Sequence, residues 1–286
     1  DSLEIHPNTF SLVYVNMVRA GEAGGILDKI LNRLALQVEK DAEIKGKVKG
    51  AMVYPGVITV FTVIAFIFVM TGVVPRLGGI FEQFGGELPI YTRVMLKMSE
   101  FLINWGLLLL IAFMAGLFLF RKFTKTKEGK LWLHKILLRI PILNTLIIKV
   151  SLARFARTFS SLITAGVSIL DCLRITANSI NNVVIKNIIL ESAQEVKNGQ
   201  PLSNTLLKYK ILPPMLGQMT AVGEETGEID VVLEKVAEFY EEEVERTVNN
   251  LTSIIEPLLI VALGSIVGII MASVFGPLSS FSSVID

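Results

Sequence analysis

With 286 residues, 52% of them hydrophobic, 19% charged and a mean hydropathy of +0.60, the chain is too apolar for an ordinary soluble domain and too charged to lie wholly in lipid. Its 27 basic and 26 acidic residues leave a net charge of +1, which gives no reason to expect nucleic acid as a partner. A single cysteine, Cys172, rules out a disulfide framework within the chain.

In chain order, residues 1–50 form a charged, helix-patterned segment holding the polar turn and helix start "GEAGGILDKIL" from Gly21. Three stretches without charge follow at intervals: Gly50 to Pro75, Phe101 to Phe120 and Pro257 to Ile285. Each holds the roughly 20 apolar residues that cross a ~30 Å hydrocarbon core as a helix. Membrane spans are therefore predicted at 51–75, 101–120 and 254–277, with short outer segments at 76–100 and 278–286. Lys40, Lys45, Lys47 and Lys49 precede the first span, and Arg121, Lys122, Lys125, Lys127, Lys130, Lys135 and Arg139 follow the second. In the 76–100 segment Arg76, Arg93 and Lys97 are balanced by Glu82, Glu87 and Glu100. The bias places residues 1–50 and 121–253 in the cytoplasm, and the 76–100 loop and the C-terminus outside.

The 121–253 region reads as a helical bundle, so the fold class is all-α. "LARFARTFSSLITAGVSILDCLRITANSI" from Leu152 gives two helices split at Ala165-Gly166, and Ser168 with Asp171 has the pattern of a capping box. Asn198-Gly199 before Pro201 stops another helix, and Pro213-Pro214 opens a short one that is expected to end at Gly223. From Ile229, Leu233, Val236, Tyr240, Val244, Val248 and Leu251 recur at helical spacing and predict the buried face of a long helix.

"GEAGGILDKIL" returns as "GEETGEIDVVL" at Gly223. A shift of 202 residues, without a gap, pairs Gly21 with Gly223, Glu22 with Glu224, Gly25 with Gly227, Asp28 with Asp230 and Leu31 with Leu233. It continues through Ala35 with Ala237, Glu39 with Glu241, Pro55 with Pro257 and Pro75 with Pro277. Matches running from a polar turn through a whole span indicate duplication of a cytoplasmic helical domain whose last helix enters the membrane. Asp1 corresponds to Ser203, so the counterpart of 151–202 is expected upstream, making residues 1–50 the end of the first copy.

These segments, with "FARTFSSLITAGVSILDCL" from Phe155, "VGEETGEIDVVLEKVAEFYEEEVE" from Val222, "IIEPLLIVALGSIVGIIMASVFGP" from Ile254, and the first-copy "VRAGEAGGILDKILNRLALQVEKD" and "AMVYPG", resemble the inner-membrane platform proteins of type II secretion and type IV pilus assembly (the PilC and GspF proteins). The likeness covers nearly the whole chain, in family order. It implies a non-enzymatic multi-pass protein of the bacterial inner membrane, oligomeric and free of cofactors. The partners it implies are a cytoplasmic hexameric assembly ATPase, pilin or pseudopilin subunits, and other inner-membrane assembly proteins.

Gly21, Glu22, Gly25 and Asp28, and their counterparts Gly223, Glu224, Gly227 and Asp230, read either as a partner-docking turn or as a junction between two helices. Glu238, Glu241, Glu242, Glu243 and Glu245 read either as an acidic docking face or as a solvated one. Pro55 and Pro257 mark helix kinks at membrane entry, for transmitting motion or for fitting neighbouring helices. Glu256 stands at the inner edge of the third span, where a charge costs far less than the roughly 3 kcal/mol of the bilayer centre. Gly264, Gly268 and Ala272, at four-residue spacing, predict close helix packing within one chain or between copies. Glu224, Glu225, Glu228 and Asp230 lack EF-hand spacing, and no metal site is expected of them.

The chain has no phosphate-loop motif, no G-x-S-x-G elbow, and only two histidines, His6 and His134, outside zinc-ligand spacing. The rival readings are an oligomeric transporter, since duplicated halves are common there, and a membrane receptor scaffold.

Overall fold

A computed structural model describes residues 3, 5–6, 9–83 and 90–285, and every regular element among them is helical. In order they are α1 (Leu12–Gly24), α2 (Leu27–Phe68), a π-helical turn (Val69–Val73), α3 (Val74–Gln83), α4 (Ile90–Lys125), α5 (Lys127–Leu137), α6 (Pro141–Thr164), α7 (Ile169–Ser179), α8 (Val183–Lys197), α9 (Leu202–Leu207), α10 (Pro214–Thr226) and α11 (Ile229–Ile285). The chain divides into two units. The first comprises residues 1–49 and 124–250, the second residues 50–123 and 251–286.

Local chemistry fixes the breaks in the first unit. Among the described residues Gly25, Gly166, Gly199 and Gly227 have positive φ, at 66°, 81°, 85° and 75°, the left-handed region that costs a side-chain-bearing residue about 1–2 kcal/mol. At the end of α6, Val167 N–H reaches back to the Leu162 carbonyl at 3.1 Å, closing the helix. Ser168 then caps α7: Asp171 N–H donates to its Oγ at 3.3 Å, while its hydroxyl donates to Asp171 Oδ2 at 2.7 Å. Asp171 thus grips the capping side chain, where a capping box would have it reach the Ser168 backbone. Asn182 caps α8 by accepting from Val184 and Ile185 N–H.

The core of this unit forms around α6, where every residue from Ser151 to Leu162 is buried except Arg157, which is partly so. A helix buried on all sides lies at the centre of a bundle. Phe155 and Phe159 stack at 5.5 Å between ring centroids, and both are fully buried with Leu152 and Leu162. Around α6 the buried residues include Leu173 of α7, Ile185 and Ile189 of α8, Leu202 and Leu206 of α9, Leu216 of α10, and Met17 and Ile30 of α1 and α2. The predicted face of the last helix is borne out: Leu233, Val236, Tyr240, Val244, Val248 and Leu251 of α11 are all buried.

Polar contacts set the packing direction. Thr164 and Ser160 meet Asp230, Arg157 meets Glu241, and Lys149 meets Glu243 and Thr247, so α11 runs antiparallel to α6. Thr158 meets Gln37 and Arg154 meets Asp41, so α2 is antiparallel to α6 as well. α6 therefore carries both repeat-related helices.

The second unit exposes its apolar side chains. Phe61, Phe68, Leu107, Phe113, Phe118, Leu258 and Val261 all face outward, as membrane-spanning helices require. Among the described residues three helices are long and apolar enough to cross a bilayer, contained in Leu27–Arg76, Thr92–Lys125 and Ile229–Gly268. Met70, Val74 and Met95 form a small core with Phe66, Val69, Leu96 and Leu102. The π-helical turn lies here, and the Ser99 hydroxyl donates to the Met70 carbonyl. A carbonyl that a π-turn leaves poorly paired is thus satisfied by a neighbouring helix.

Two expectations need correction. Residues 76–83 and 90–100, expected as a short loop, are helical, with Gly78 and Gly79 accommodated inside α3; 84–89, with Glu87, lie outside the described residues, as do Asp1 and Asp286. The helix opened by Pro214 ends at Gly227, not at Gly223.

The duplicated helices differ in cover. Leu233, Ala237, Tyr240 and Val244 of α11 are buried, whereas Leu31, Ala35, Val38 and Ala42, their counterparts on α2, are exposed. Tyr240 is 3% exposed, against 59% for Val38. Leu233→Ala should therefore cost about 2–5 kcal/mol of stability, and Leu31→Ala less than about 0.5 kcal/mol, as read by denaturant unfolding of this chain in detergent.

Candidate functional site

The repeated turn is a helix junction built the same way twice. In the first copy α1 closes on Gly25, with Ile26 N–H donating to the Gly21 carbonyl at 2.9 Å, and α2 starts at once. A Cβ on Gly21 would stand 3.2 Å from Leu27 Cα. In the second copy a Cβ on Gly223 would stand 2.7 Å from Ile229 Cα, and Ile229 is the counterpart of Leu27. The four glycines thus do two jobs. Gly25 and Gly227 take the left-handed conformation, while Gly21 and Gly223 lie inside their helices and let the next helix fold back against bare backbone.

The acidic residues of the second turn face different partners. Glu224 accepts from Leu202 N–H at 2.6 Å and from Ser203 N–H at 3.2 Å, and it also accepts from the Ser203 hydroxyl. It serves as the N-terminal cap of α9, whose own N-cap position is Pro201, a residue with no side-chain acceptor. Asp230 lies in the first turn of α11, where a carboxylate suits the positive end of the helix dipole. Its carboxylate accepts from Thr164 and its carbonyl from Ser160. Glu22 and Asp28 occupy the matching positions of the first copy, and Asp28 likewise begins its helix. Among the described residues no group of three or more His, Cys, Asp or Glu side chains is arranged to hold a metal ion.

A recess of about 620 Å³ opens beside the second turn, lined by residues that include Ile169, Asn204, Gly223, Glu224, Glu225 and Ile229. Ile169 of that lining is exposed, as are Val222 and Val231, which adjoin the turn in sequence.

The acidic run on α11, read as a docking or a solvated face, is largely paired within the bundle. Arg157 donates to Glu241 through Nε and Nη2, both at 2.9 Å, and lies 3.4 Å from Glu234. Lys149 pairs with Glu243 at 2.8 Å and Lys47 with Glu245 at 2.7 Å. Glu238 and Glu242 pair locally with Lys235 and Arg246. Arg154, Arg157 and Lys149 were not singled out by the sequence; a signal existed in three cations on a helix otherwise apolar enough to be core. Cys172 is fully buried, and burial with the neighbouring Asp171 pushes its thiol up to about 12, so it stays protonated and inert.

The membrane-entry residues show no shared site. Pro55 and Pro257 both lie within uninterrupted helix, and Thr59 hydroxyl donates to the Pro55 carbonyl at 2.7 Å. Glu256 is exposed. Among the described residues a Cβ on Gly264 or Gly268 would meet nothing within 4 Å, so the predicted close packing is not seen there at these two glycines; the Ala272 side chain is outside the described residues.

The family described as type II secretion system (T2SS), protein F, matches residues 1–75 and 155–277, two stretches whose ends lie 202 residues apart. The chain belongs to this family. Protein F relatives include the type IV pilus assembly protein PilC of Thermus thermophilus, 43% identical over 94% of this chain and 66% of its own length. The PilC of Pseudomonas aeruginosa is 35% identical over 100% of this chain and 76% of its own length. The type II secretion system protein F of Aeromonas hydrophila is 34% identical over 100% and 74%. Both repeats of the protein F pattern thus carry the glycine junction.

Because Glu224 is the acceptor for two amides at the start of α9, Glu224→Ala should cost about 0.5–2 kcal/mol. Hydrogen exchange should rise at Leu202 and Ser203 before the rest of the bundle; unchanged exchange there would remove the capping role.

Proposed function

We propose that this chain is a non-enzymatic inner-membrane platform of a type IV pilus or type II secretion machine, coupling a cytoplasmic hexameric ATPase to the insertion of pilin or pseudopilin subunits. The observation that carries this reading is the family membership, with relatives named for pilus assembly and for secretion aligned over almost all of the chain. The helices support it in kind: α2 and α11, equivalent in the repeat, each contribute to both units, so a displacement of the bundle has a covalent route into a span. The basic residues before the first span and after the second support a topology with residues 1–50 and 121–253 in the cytoplasm and the C-terminus outside. Gly264 and Gly268, open among the described residues, suit contact with another span, which agrees with an oligomer or with pilin beside α11.

Photocrosslinkers placed in cells at Glu225 and Val231, and separately at Phe113 and Leu258, test this. The first pair should capture a hexameric ATPase and the second a single-span pilin-like protein. Capture of neither, with crosslinks only between copies of the chain, would overturn the assignment.

A further inference from the structure

The end of α4 and the whole of α5 form a cationic surface. Lys125, Lys127, Lys130, Lys135 and Arg139 are exposed, and the only carboxylate between residues 121 and 140 is Glu128. Large apolar side chains are exposed in the same segment: Trp132 is 51% exposed, and Ile140 and Ile142 are exposed just beyond the helix. Lysines and arginines around a tryptophan and two isoleucines form the composition of a segment that lies in a membrane interface.

The helix is held in place from both ends. Thr126 caps it by accepting from Gly129 N–H at 3.1 Å. Near the other end, His134 Nδ1 accepts from Val183 N–H at 2.9 Å at the start of α8. That bond needs a neutral imidazole with a free Nδ1 lone pair, and burial lowers the His134 pKa in the direction that keeps it neutral. α5 is therefore a fixed part of the bundle and not a loose tether.

Distance along the chain decides what the surface meets. If α4 crosses the bilayer, its apolar stretch ends at Phe120 and its last residue is Lys125, one residue before the cap of α5. The five helical residues from Phe120 to Lys125 add about 7.5 Å and two residues of extended chain at most about 7 Å, so Lys127 stands within about 15 Å of the acyl boundary, close to a headgroup layer roughly 5–8 Å deep.

We propose that α5 and the turn after it dock on anionic phospholipid headgroups, with the five cations on the phosphates and Trp132, Ile140 and Ile142 at the acyl boundary. The anionic lipid surface is favoured over an acidic protein face because the charges begin where the span ends and are interleaved with apolar side chains, which lipid accommodates along with the phosphates. The bundle is thereby fastened to the bilayer at a point other than its spans. This rests on α4 being a membrane span.

The chain has two tryptophans, Trp105 in α4 and Trp132 in α5, so each can be isolated as a fluorescent reporter. The whole chain carrying Trp105→Phe is reconstituted in vesicles of phosphatidylcholine, with or without phosphatidylglycerol, and Trp132 is read by quenchers attached to the lipid near the headgroup and by acrylamide in the water. The expected result is lipid quenching and acrylamide protection in the phosphatidylglycerol vesicles only, lost at high salt. Each neutralised lysine should weaken the contact by roughly fivefold, so the triple variant Lys127→Gln, Lys130→Gln, Lys135→Gln should lose most of the difference between the two vesicles. Trp132 that remains open to acrylamide in both vesicles, or that is quenched equally in both, would overturn the proposal. In the Trp132→Phe chain, Trp105 should be quenched from lipid in both vesicles. Failure there would remove the span and with it the docking, whereas a quenched Trp105 beside a water-exposed Trp132 would overturn the docking alone.

Discussion

Enclosing α6 forces its charges to be matched, and the first unit is arranged around that requirement. Ser151 to Leu162 give up solvent almost entirely, yet the stretch includes Arg154 and Arg157. An unpaired guanidinium there would cost several kcal/mol, so the helices that cover α6 must bring carboxylates to it. α11 brings Glu241 and Glu234, and α2 brings Asp41. Lys149 with Glu243 extends the same ladder. Hydrophobic burial draws the three helices together, and the ion pairs select which residues face each other.

The duplication shows one local device in two environments. Gly21 and Gly223 each let the following helix approach the backbone, and Gly25 and Gly227 each close the helix before it. These are short-range requirements, and both copies meet them. The faces beyond differ. The α11 stripe of Leu233, Ala237, Tyr240 and Val244 is covered, while the α2 stripe of Leu31, Ala35, Val38 and Ala42 is open. α2 nonetheless keeps apolar residues in register with the buried stripe of α11.

Much of this was legible in the sequence. The helices, three long apolar stretches, the repeat register and the buried face of α11 all follow from periodicity and turn residues, which act over a few residues. What was not legible depends on contacts distant in sequence. Gly223 reads as a helix end because glycine serves both for a left-handed close and for a close approach, and only the fold separates the two. The acidic run on α11 reads as solvated because Lys47, Lys149 and Arg157 lie between 84 and 198 residues away from their partners. Glu224 reads as part of a turn, yet it caps a helix that starts 22 residues earlier. The 76–100 stretch reads as a loop because it is charged, although charge on a helix flank breaks nothing.

The most direct test of α6 as the organising helix is a double-mutant cycle on Arg157 and Glu241, using Arg157→Met, Glu241→Leu and the pair, with unfolding of the whole chain in detergent as the readout. The side chains are 16% and 13% exposed, so the bond is shielded from most solvent screening. The account predicts an interaction energy of about 1–3 kcal/mol between the two sites, each single change costing more than its share of the double. Additive effects, or a single variant as stable as the parent, would contradict it and return α11 to an ordinary amphipathic helix held by its apolar face alone.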